Sequence, residues 1–272
     1  MSSDKNQLLG AIIGDVVGSP YEHHNIKSKE FKLFSRRSSC TDDTVMTIAV
    51  AEALMEAEKQ GALDREETVK ELVDASMHKW GYRYPYAGYG GTFVAWLDHE
   101  IEGPYNSWGN GSAMRVSPAG WIAEDMERVR AIARWTAEVT HNHPEGVKGA
   151  ESVAAAILMA RQGASKEEIK DYIVSEFGYN LDRTCDEIRP DYRFDVSCQG
   201  SVPESIIAFL EGEDFEDTIR NAISLGGDSD TIAAIAGSIA GAFFEIPEEI
   251  VNKCLDRVPA EMKDVLSDWY NR

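Results

Sequence analysis

The segment Gly226-Gly227-Asp228-Ser229-Asp230-Thr231 is followed directly by a run of apolar and small residues, 232–244. A glycine pair ahead of carboxylate and hydroxyl side chains predicts a tight turn that opens a helix. The run behind it has no charged residue, so this helix should be buried in the core. The sequence therefore predicts a buried helix whose first turn carries carboxylates.

A similar arrangement lies near the other end of the chain, where Thr41-Asp42-Asp43-Thr44 precedes the largely apolar run 45–51. Helix capping alone explains one such cluster, because Asp, Ser and Thr accept the unpaired amide hydrogens and carboxylates suit the helix dipole. Capping needs a single acceptor, whereas each cluster supplies two carboxylates and a hydroxyl. Two ionised carboxylates about 4 Å apart repel by roughly 4 kcal/mol at an intermediate dielectric, and a divalent cation removes that repulsion.

The ligand chemistry of the two clusters favours hard cations. Neither cluster contains His or Cys, which favours Mg²⁺, Mn²⁺ or Ca²⁺ over zinc. Several carboxylates with few other ligands fit two metal ions held about 3.5–4 Å apart. We therefore predict that the two helix starts converge on a two-metal centre. Its predicted ligands are Thr41, Asp42, Asp43, Asp228, Asp230 and Thr231.

Length and composition predict a single globular domain over residues 1–272, since 43% of the chain is hydrophobic and no linker or low-complexity segment divides it. The formal net charge of −20 makes a nucleic-acid partner unlikely and argues against a membrane-surface binder, because both need positive potential. The amino terminus lacks the pattern of a signal peptide, and the four cysteines lack C-x-x-C spacing. The longest apolar stretch is shorter than the about 20 residues that span a bilayer. A cytoplasmic location is the resulting expectation.

Helical periodicity recurs along the chain, and no run of alternating strands is evident. The sequence therefore predicts an all-α fold. Glycines four residues apart at Gly10, Gly14 and Gly18, and again at Gly237 and Gly241, predict smooth helix faces that allow close helix packing.

Several other polar residues lie beside predicted turns. Glu22 follows Ser-Pro-Tyr at the end of the first helix and is a candidate acid or base, while Asp15, inside that helix, is expected to have a structural role. Gly109-Asn110-Gly111-Ser112-Ala113-Met114-Arg115 is a small-residue turn suited to binding an anion. Arg115 is expected to pair with an internal carboxylate rather than with a phosphate. His141 precedes a helix that should begin at Pro144.

These motifs together carry a resemblance. The matching segments are Gly14-Asp15 with Gly18 and Glu22, Thr41 to Thr44, Gly88 to Thr92, Gly109 to Arg115, Thr140-His141 and Gly226 to Thr231. In this combination and order the chain resembles the ADP-ribosylglycohydrolase family over almost its whole length. The resemblance implies an all-α fold, two Mg²⁺ or Mn²⁺ ions and the same six metal ligands. It also implies hydrolysis at the anomeric carbon of the distal ribose of an ADP-ribosylated protein or small molecule, with ADP-ribose as product.

The resemblance further implies roles for individual side chains. The catalytic carboxylates would be among Glu22, Asp42 and Asp43. The ligand-binding residues would be Gly109, Asn110, Gly111, Ser112 and Met114 around the diphosphate, and His141 along the ADP-ribose. The tyrosines of the segment 82–89 are suited by composition to stacking on adenine. The acceptor, whether arginine, serine, an acetyl group or a base, is not indicated by any motif.

Two alternatives use the same residues. A divalent-metal phosphohydrolase acting on the pyrophosphate of a nucleotide sugar would need the same oxygen ligands. A non-catalytic protein that binds ADP-ribose, or a structural protein of the same fold, would keep the cleft without the reaction. The complete set of expected ligand types in this chain favours the hydrolase.

Overall fold

The computed structural model describes residues 7–272, and over that range the regular structure is helical. The α-helices are α1 (Leu9–Gly18), α2 (Asp42–Lys59), α3 (Glu66–Arg83), α4 (Gly91–Leu97), α5 (Gly111–Met114), α6 (Ser117–Ile122), α7 (Met126–Glu138), α8 (Pro144–Arg161), α9 (Lys166–Phe177), α10 (Cys185–Ile188), α11 (Cys198–Glu211), α12 (Phe215–Ser224), α13 (Ser229–Phe243), α14 (Glu248–Leu255) and α15 (Ala260–Tyr270). Within residues 7–272 there is no β-strand, only an isolated antiparallel bridge between Gly109 and Ser197. The prediction of an all-α fold is therefore confirmed.

Helix α13 lies at the centre of the fold, as its apolar sequence predicts. All of its residues except the last are buried, and it packs against α1, α8, α11 and α12. The turn before it needs a left-handed backbone at two successive positions, Gly226 (φ 71°) and Gly227 (φ 70°). Because only glycine adopts such angles without strain, this pair allows the chain to enter the helix with its acidic first turn already inside the protein.

The glycine stripe of α1 packs directly on α13. A Cβ atom at Gly10 would lie 2.2 Å from the Gly237 carbonyl oxygen, and one at Gly14 would lie 2.1 Å from the Ala233 carbonyl oxygen. At Gly18 a Cβ would lie 2.5 Å from Cα of Asp230. The prediction of close helix packing is confirmed, and it brings the end of α1 against the acidic start of α13.

Helix α2 lies on another side of the core, where it packs against α1, α3, α6 and α15. Its first half is apolar on nearly every side and buried from Asp43 to Ala51, so its amino terminus begins inside the protein. A short 3₁₀ turn, Ser19–Tyr21, continues α1 and leads to Glu22 beside the starts of α2 and α13.

The four cysteines are free thiols. Over the described residues, none of the helices combines the length and apolar character that a membrane crossing requires.

Candidate metal and ligand site

The starts of α2 and α13 meet, which brings together acidic side chains that are far apart in the sequence. Carboxylate oxygens of Asp15, Asp43 and Asp230 lie within 4.8 Å of one another, and so do those of Glu22, Asp228 and Asp230. The two groups share Asp230, so they form one continuous cluster. The Thr231 hydroxyl donates a hydrogen bond to Oδ2 of Asp43 at 3.2 Å and joins the two helix starts directly.

Burial makes this cluster electrostatically unfavourable without a cation. Asp43, Asp228 and Asp230 are buried, each at most 6% exposed. Burial, followed by the charge of Asp15, raises the pKa of Asp42 to about 8. The pKa values of Asp43 and Asp230 are raised well above normal, again by burial first and then by the neighbouring carboxylates. Protonation or a bound cation is therefore needed to relieve the repulsion.

The oxygen atoms present fit a divalent cation. Oδ1 of Asp43 is buried and has no hydrogen-bond partner among the described residues. Asp228 is at the N-cap position of α13, yet its side chain makes no capping hydrogen bond to that helix. Capping therefore does not explain these two carboxylates, whereas an oxygen-only donor set is what Mg²⁺ and Mn²⁺ prefer.

Asp15 is buried beneath the start of α2 and organises it. Its carboxylate accepts hydrogen bonds from the backbone amides of Thr41 (2.9 Å) and Thr44 (3.1 Å) and from the hydroxyl of Thr41 (2.7 Å). The Thr44 hydroxyl donates to the same carboxylate. The Thr41 hydroxyl hydrogen is directed at Asp15 and its oxygen accepts from the Asp43 backbone amide at 3.4 Å, which leaves one lone pair available. The expected structural role of Asp15 agrees with these contacts, although one of its oxygens also lies within the acidic cluster.

Glu22 is at the edge of the cluster, next to Asp228 and Asp230. Its side chain is 30% exposed, and the imidazole of His23 lies 3.7 Å away. Burial, opposed by His23, raises the pKa of Glu22. Of the carboxylates within 4.8 Å of Asp228, it is the one that reaches toward the solvent.

The acidic cluster forms one end of a cavity of about 470 Å³. The segment 88–93 and the turn 109–111 form other parts of its wall. Eleven of the residues that the sequence predicts for the site line this cavity: Glu22, Asp42, Asp43, Gly109, Asn110, Gly111, Met114, His141, Asp228, Asp230 and Thr231.

Two predicted residues do not line the cavity. The Ser112 side chain is fully buried, and its hydroxyl donates to the Gly146 carbonyl oxygen at 2.7 Å. The Thr41 hydroxyl is directed at Asp15. Ser112 is expected beside a diphosphate, but in the structure its hydroxyl links the start of α5 to α8.

Asn110 connects the two ends of the cavity. Its side-chain amide donates to Oδ2 of Asp228 at 2.7 Å, and its backbone amide donates to the Val196 carbonyl oxygen at 2.7 Å. The side chain therefore orients a carboxylate of the acidic cluster, a contact that the sequence did not indicate.

The expectation for Arg115 is wrong. Arg115 is 1% exposed, and its hydrogen bonds go to the Thr136 carbonyl oxygen (3.1 Å) and the Thr140 hydroxyl (2.8 Å) rather than to a carboxylate. Burial lowers its pKa to about 10. Burial and the nearby Arg115 charge together hold the pKa of His141 well below its usual value, so that imidazole is neutral at pH 7.

Several apolar residues of the cavity were missed by the sequence interpretation. Tyr105, Phe194 and Val196 line it. Phe194 and Val196 belong to the segment 178–200, whose sequence has no periodicity that could have indicated their position. Phe194 and Val196 are 51% and 52% exposed, so they form a rim. Of the tyrosines at positions 82–89, only Tyr89 lines the cavity.

Two helix starts of an all-helical fold present buried carboxylates to a cleft with a glycine-rich wall. The family model described as ADP-ribosylglycohydrolase matches residues 5–271, and the chain belongs to this family.

Two named relatives match most of the chain. The chain is 28% identical to mouse ADP-ribosylhydrolase ARH3, with 91% of this chain and 86% of that protein covered. It is 29% identical to the ADP-ribosylarginine hydrolase Tri1 of Pseudomonas putida, with 92% and 73% covered. A solved structure titled "ADP-ribosylglycohydrolase-related protein complex" has the same fold, with a TM-score of 0.74 at 23% identity over 99% of this chain and 97% of the other.

Proposed function

We propose that this protein is a divalent-metal-dependent hydrolase that cleaves the N- or O-glycosidic bond between ADP-ribose and an acceptor. The observation that carries the proposal is the continuity of the cavity: buried carboxylates at one end pass directly into a wall of glycine-rich turns with His141. A ribose placed at the acidic end would therefore extend its diphosphate along the glycines. Family membership supports the same reaction.

The acidic end would hold two divalent cations, Mg²⁺ or Mn²⁺, through Asp42, Asp43, Asp228, Asp230 and the hydroxyls of Thr41 and Thr231. When bound, such ions supply positive charge that holds ribose hydroxyls and activates a water. The protein prepares this site in advance. Asp15 accepts the Thr41 hydroxyl hydrogen, and Asn110 orients Asp228, so little reorganisation is needed when ligands arrive.

Hydrolysis breaks the bond between the anomeric carbon and the acceptor atom, and a water oxygen takes the acceptor's place. A proton must leave the water and another must reach the departing acceptor. We assign proton transfer to Glu22, with Asp42 and Asp43 as the other candidates, because Glu22 combines contact with the cluster and partial exposure. A carboxylate in that position can exchange protons with solvent between turnovers.

The part of the cavity wall formed by the turn 109–111 would receive the rest of ADP-ribose. Gly109 and Gly111 carry no side chain that would obstruct the diphosphate, and their backbone lies beside Nε2 of His141. The exposed rim of Phe194 and Val196 offers apolar surface to the base.

The acceptor can be identified by direct assay. One relative is named an ADP-ribosylarginine hydrolase, so ADP-ribosylarginine is the first acceptor to test, followed by ADP-ribosylserine and O-acetyl-ADP-ribose. Each would be incubated with Mg²⁺, with Mn²⁺ and with EDTA, and the products identified by mass. We expect free ADP-ribose in the presence of metal and none with EDTA.

Two variants make this assay specific. Asp228→Asn should abolish release of ADP-ribose while helical content stays normal, whereas Asp264→Asn, an exposed position on α15, should leave the rate unchanged. AMP and a ribose phosphate as products would instead identify a phosphohydrolase. Metal-dependent binding of ADP-ribose without any product would identify a binding protein.

A further inference from the structure

Arg115 is a buried cation whose charge has no counter-ion. Among residues 7–272 its guanidinium donates to a carbonyl and a hydroxyl oxygen, no carboxylate contributes to its pKa, and its Nε atom is buried without a hydrogen-bond partner. Burying an unpaired charge is strongly unfavourable. Arg115 also lines the cavity, so its contacts can act on a ligand bound there.

Those contacts form a short relay that ends at the cavity. Arg115 donates from Nη2 to the Thr140 hydroxyl oxygen at 2.8 Å, and that hydroxyl lies 2.7 Å from Nδ1 of His141. Thr140 is fully buried and His141 is 5% exposed. Water therefore has little access to the Thr140 hydroxyl, so we expect its hydrogen to pair with an acceptor of the protein.

The relay determines where the imidazole hydrogen lies. Arg115 can only donate, so the Thr140 oxygen acts as its acceptor. Two groups beside the Thr140 hydroxyl can accept its hydrogen, Nδ1 of His141 at 2.7 Å and the Tyr105 hydroxyl. The Tyr105 phenol can also donate to the Thr140 oxygen, so we assign Nδ1 as the acceptor. The hydroxyl hydrogen is thus directed to Nδ1, and the hydrogen of the neutral imidazole is left on Nε2.

We propose that Arg115 and Thr140 are positioning residues that hold His141 as the neutral Nε2–H tautomer, so that it donates a hydrogen bond to an acceptor oxygen of the bound ligand. Nε2 faces the glycine turn: a Cβ at Gly111 would lie 3.1 Å from it, and one at Gly109 3.4 Å. The identity of the ligand as ADP-ribose rests on the proposed function, whereas the tautomer is a property of the free protein.

The tautomer can be measured directly by ¹⁵N NMR of the full chain with labelled histidine, because the two neutral tautomers give different pairs of ring-nitrogen shifts. We expect His141 of the parent to be protonated on Nε2. Thr140→Val removes the hydroxyl and should convert His141 to a mixture of tautomers, while Thr140→Ser should restore the parent shifts. Arg115→Met should weaken the Nε2–H preference with Thr140 still present.

Thr136→Val is the matched control. Thr136 is also a fully buried threonine in the same region, but its hydroxyl donates to the Ala133 carbonyl oxygen at 2.9 Å and does not contact His141. We expect this variant to keep the parent tautomer. A general loosening of the fold would affect both threonine variants, whereas the relay predicts an effect of Thr140→Val alone.

Binding provides the second measurement. By calorimetry with ADP-ribose and Mg²⁺, Thr140→Val should bind roughly three- to tenfold more weakly, the effect of one neutral hydrogen bond, and Thr136→Val should bind normally. In a His141→Phe background, Thr140→Val should cause no further loss. Additive losses in that background would overturn the proposal.

A parent protein protonated on Nδ1, or unchanged ring-nitrogen shifts in Thr140→Val, would also overturn it. The outcomes separate the relay from the reaction. If ADP-ribose neither binds nor is released from any acceptor, the proposed function fails, while the NMR shifts of the free protein still decide the tautomer.

Discussion

Replacing one buried acid should stabilise the metal-free protein. In Asp43→Asn the side chain keeps its shape and can still accept the hydrogen bond from Thr231, but it loses its charge. Asp43 has carboxylate neighbours within 4.8 Å at Asp15 and Asp230. At that separation and an effective dielectric of about 20, each ionised pair repels by about 3.5 kcal/mol.

The measurable gain is smaller than this repulsion, because the cluster takes up protons to relieve it. We expect the free energy of unfolding in EDTA at pH 8 to rise by about 2 kcal/mol, or about 3.5 °C in Tm for a chain of this size. At pH 5 the gain should be smaller. Burial raises the pKa of Asp42 to about 8 and the pKa of Asp43 well above normal, so these groups are largely protonated at pH 5.

The sign follows from linkage. A carboxyl whose pKa is higher in the folded than in the unfolded state stabilises the fold below the unfolded pKa, and this stability is lost as pH rises through the folded pKa. For Asp42 the window runs from its ordinary value of 3.8 to about 8. The metal-free parent should therefore lose stability across that range, and Asp43→Asn should lose less.

The assay is thermal unfolding by circular dichroism in EDTA and in Mg²⁺ at both pH values, with Asp264→Asn as the exposed control. Mg²⁺ should raise Tm of the parent and have little effect on Asp43→Asn. If Asp43→Asn lowers Tm in EDTA at pH 8, the carboxylate is a structural group and the charge argument is refuted.

Three further outcomes are expected. The rise in parent Tm caused by Mg²⁺ should grow between pH 4 and about 8, because the cation must displace protons from carboxyls whose pKa values are raised; a pH-independent rise would contradict this. Asn110→Ala removes the donor to Asp228 and should weaken Mg²⁺ binding by calorimetry about tenfold or more, whereas unchanged affinity would show that the contact is incidental. Gly14→Ala should lower the free energy of unfolding measured in urea by about 3 kcal/mol or more, because the new Cβ would lie 2.1 Å from the Ala233 carbonyl oxygen. Gly91→Ala is the control, since a Cβ there meets no neighbouring part of the described chain within 4 Å, and it should unfold like the parent.

Local sequence signals were sufficient where short-range chemistry decides the structure. The glycine pair at 226–227 needs positive φ, and the uncharged run after it can only be buried, so the turn and α13 follow from neighbouring residues. The spacing of glycines in α1 likewise predicted close packing, because a face without side chains admits another backbone. The predicted helix start at Pro144 is confirmed for the same local reason.

The number of carboxylates in the two clusters also predicted a contact between distant parts of the chain. Two clusters with more carboxylates than capping requires predicted convergence on one centre, and the structure brings Asp43 and Asp230 within 4.8 Å. Their role as metal ligands stays a prediction. The sequence could not indicate which side chains support them, because Asp15 and Asn110 act through contacts with residues far away in the chain.

The sequence by itself determined the all-helical fold, the buried acidic helix starts and the glycine-rich turns, since each depends on residues that are neighbours along the chain. Only the tertiary structure decided the direction of individual side chains: Ser112 turns to Gly146, Arg115 to Thr140, and Phe194 to the cavity rim. The physical reason is that a hydrogen bond or an apolar contact is chosen from whatever partners the packed helices bring within reach, and packing sets those partners over the whole chain.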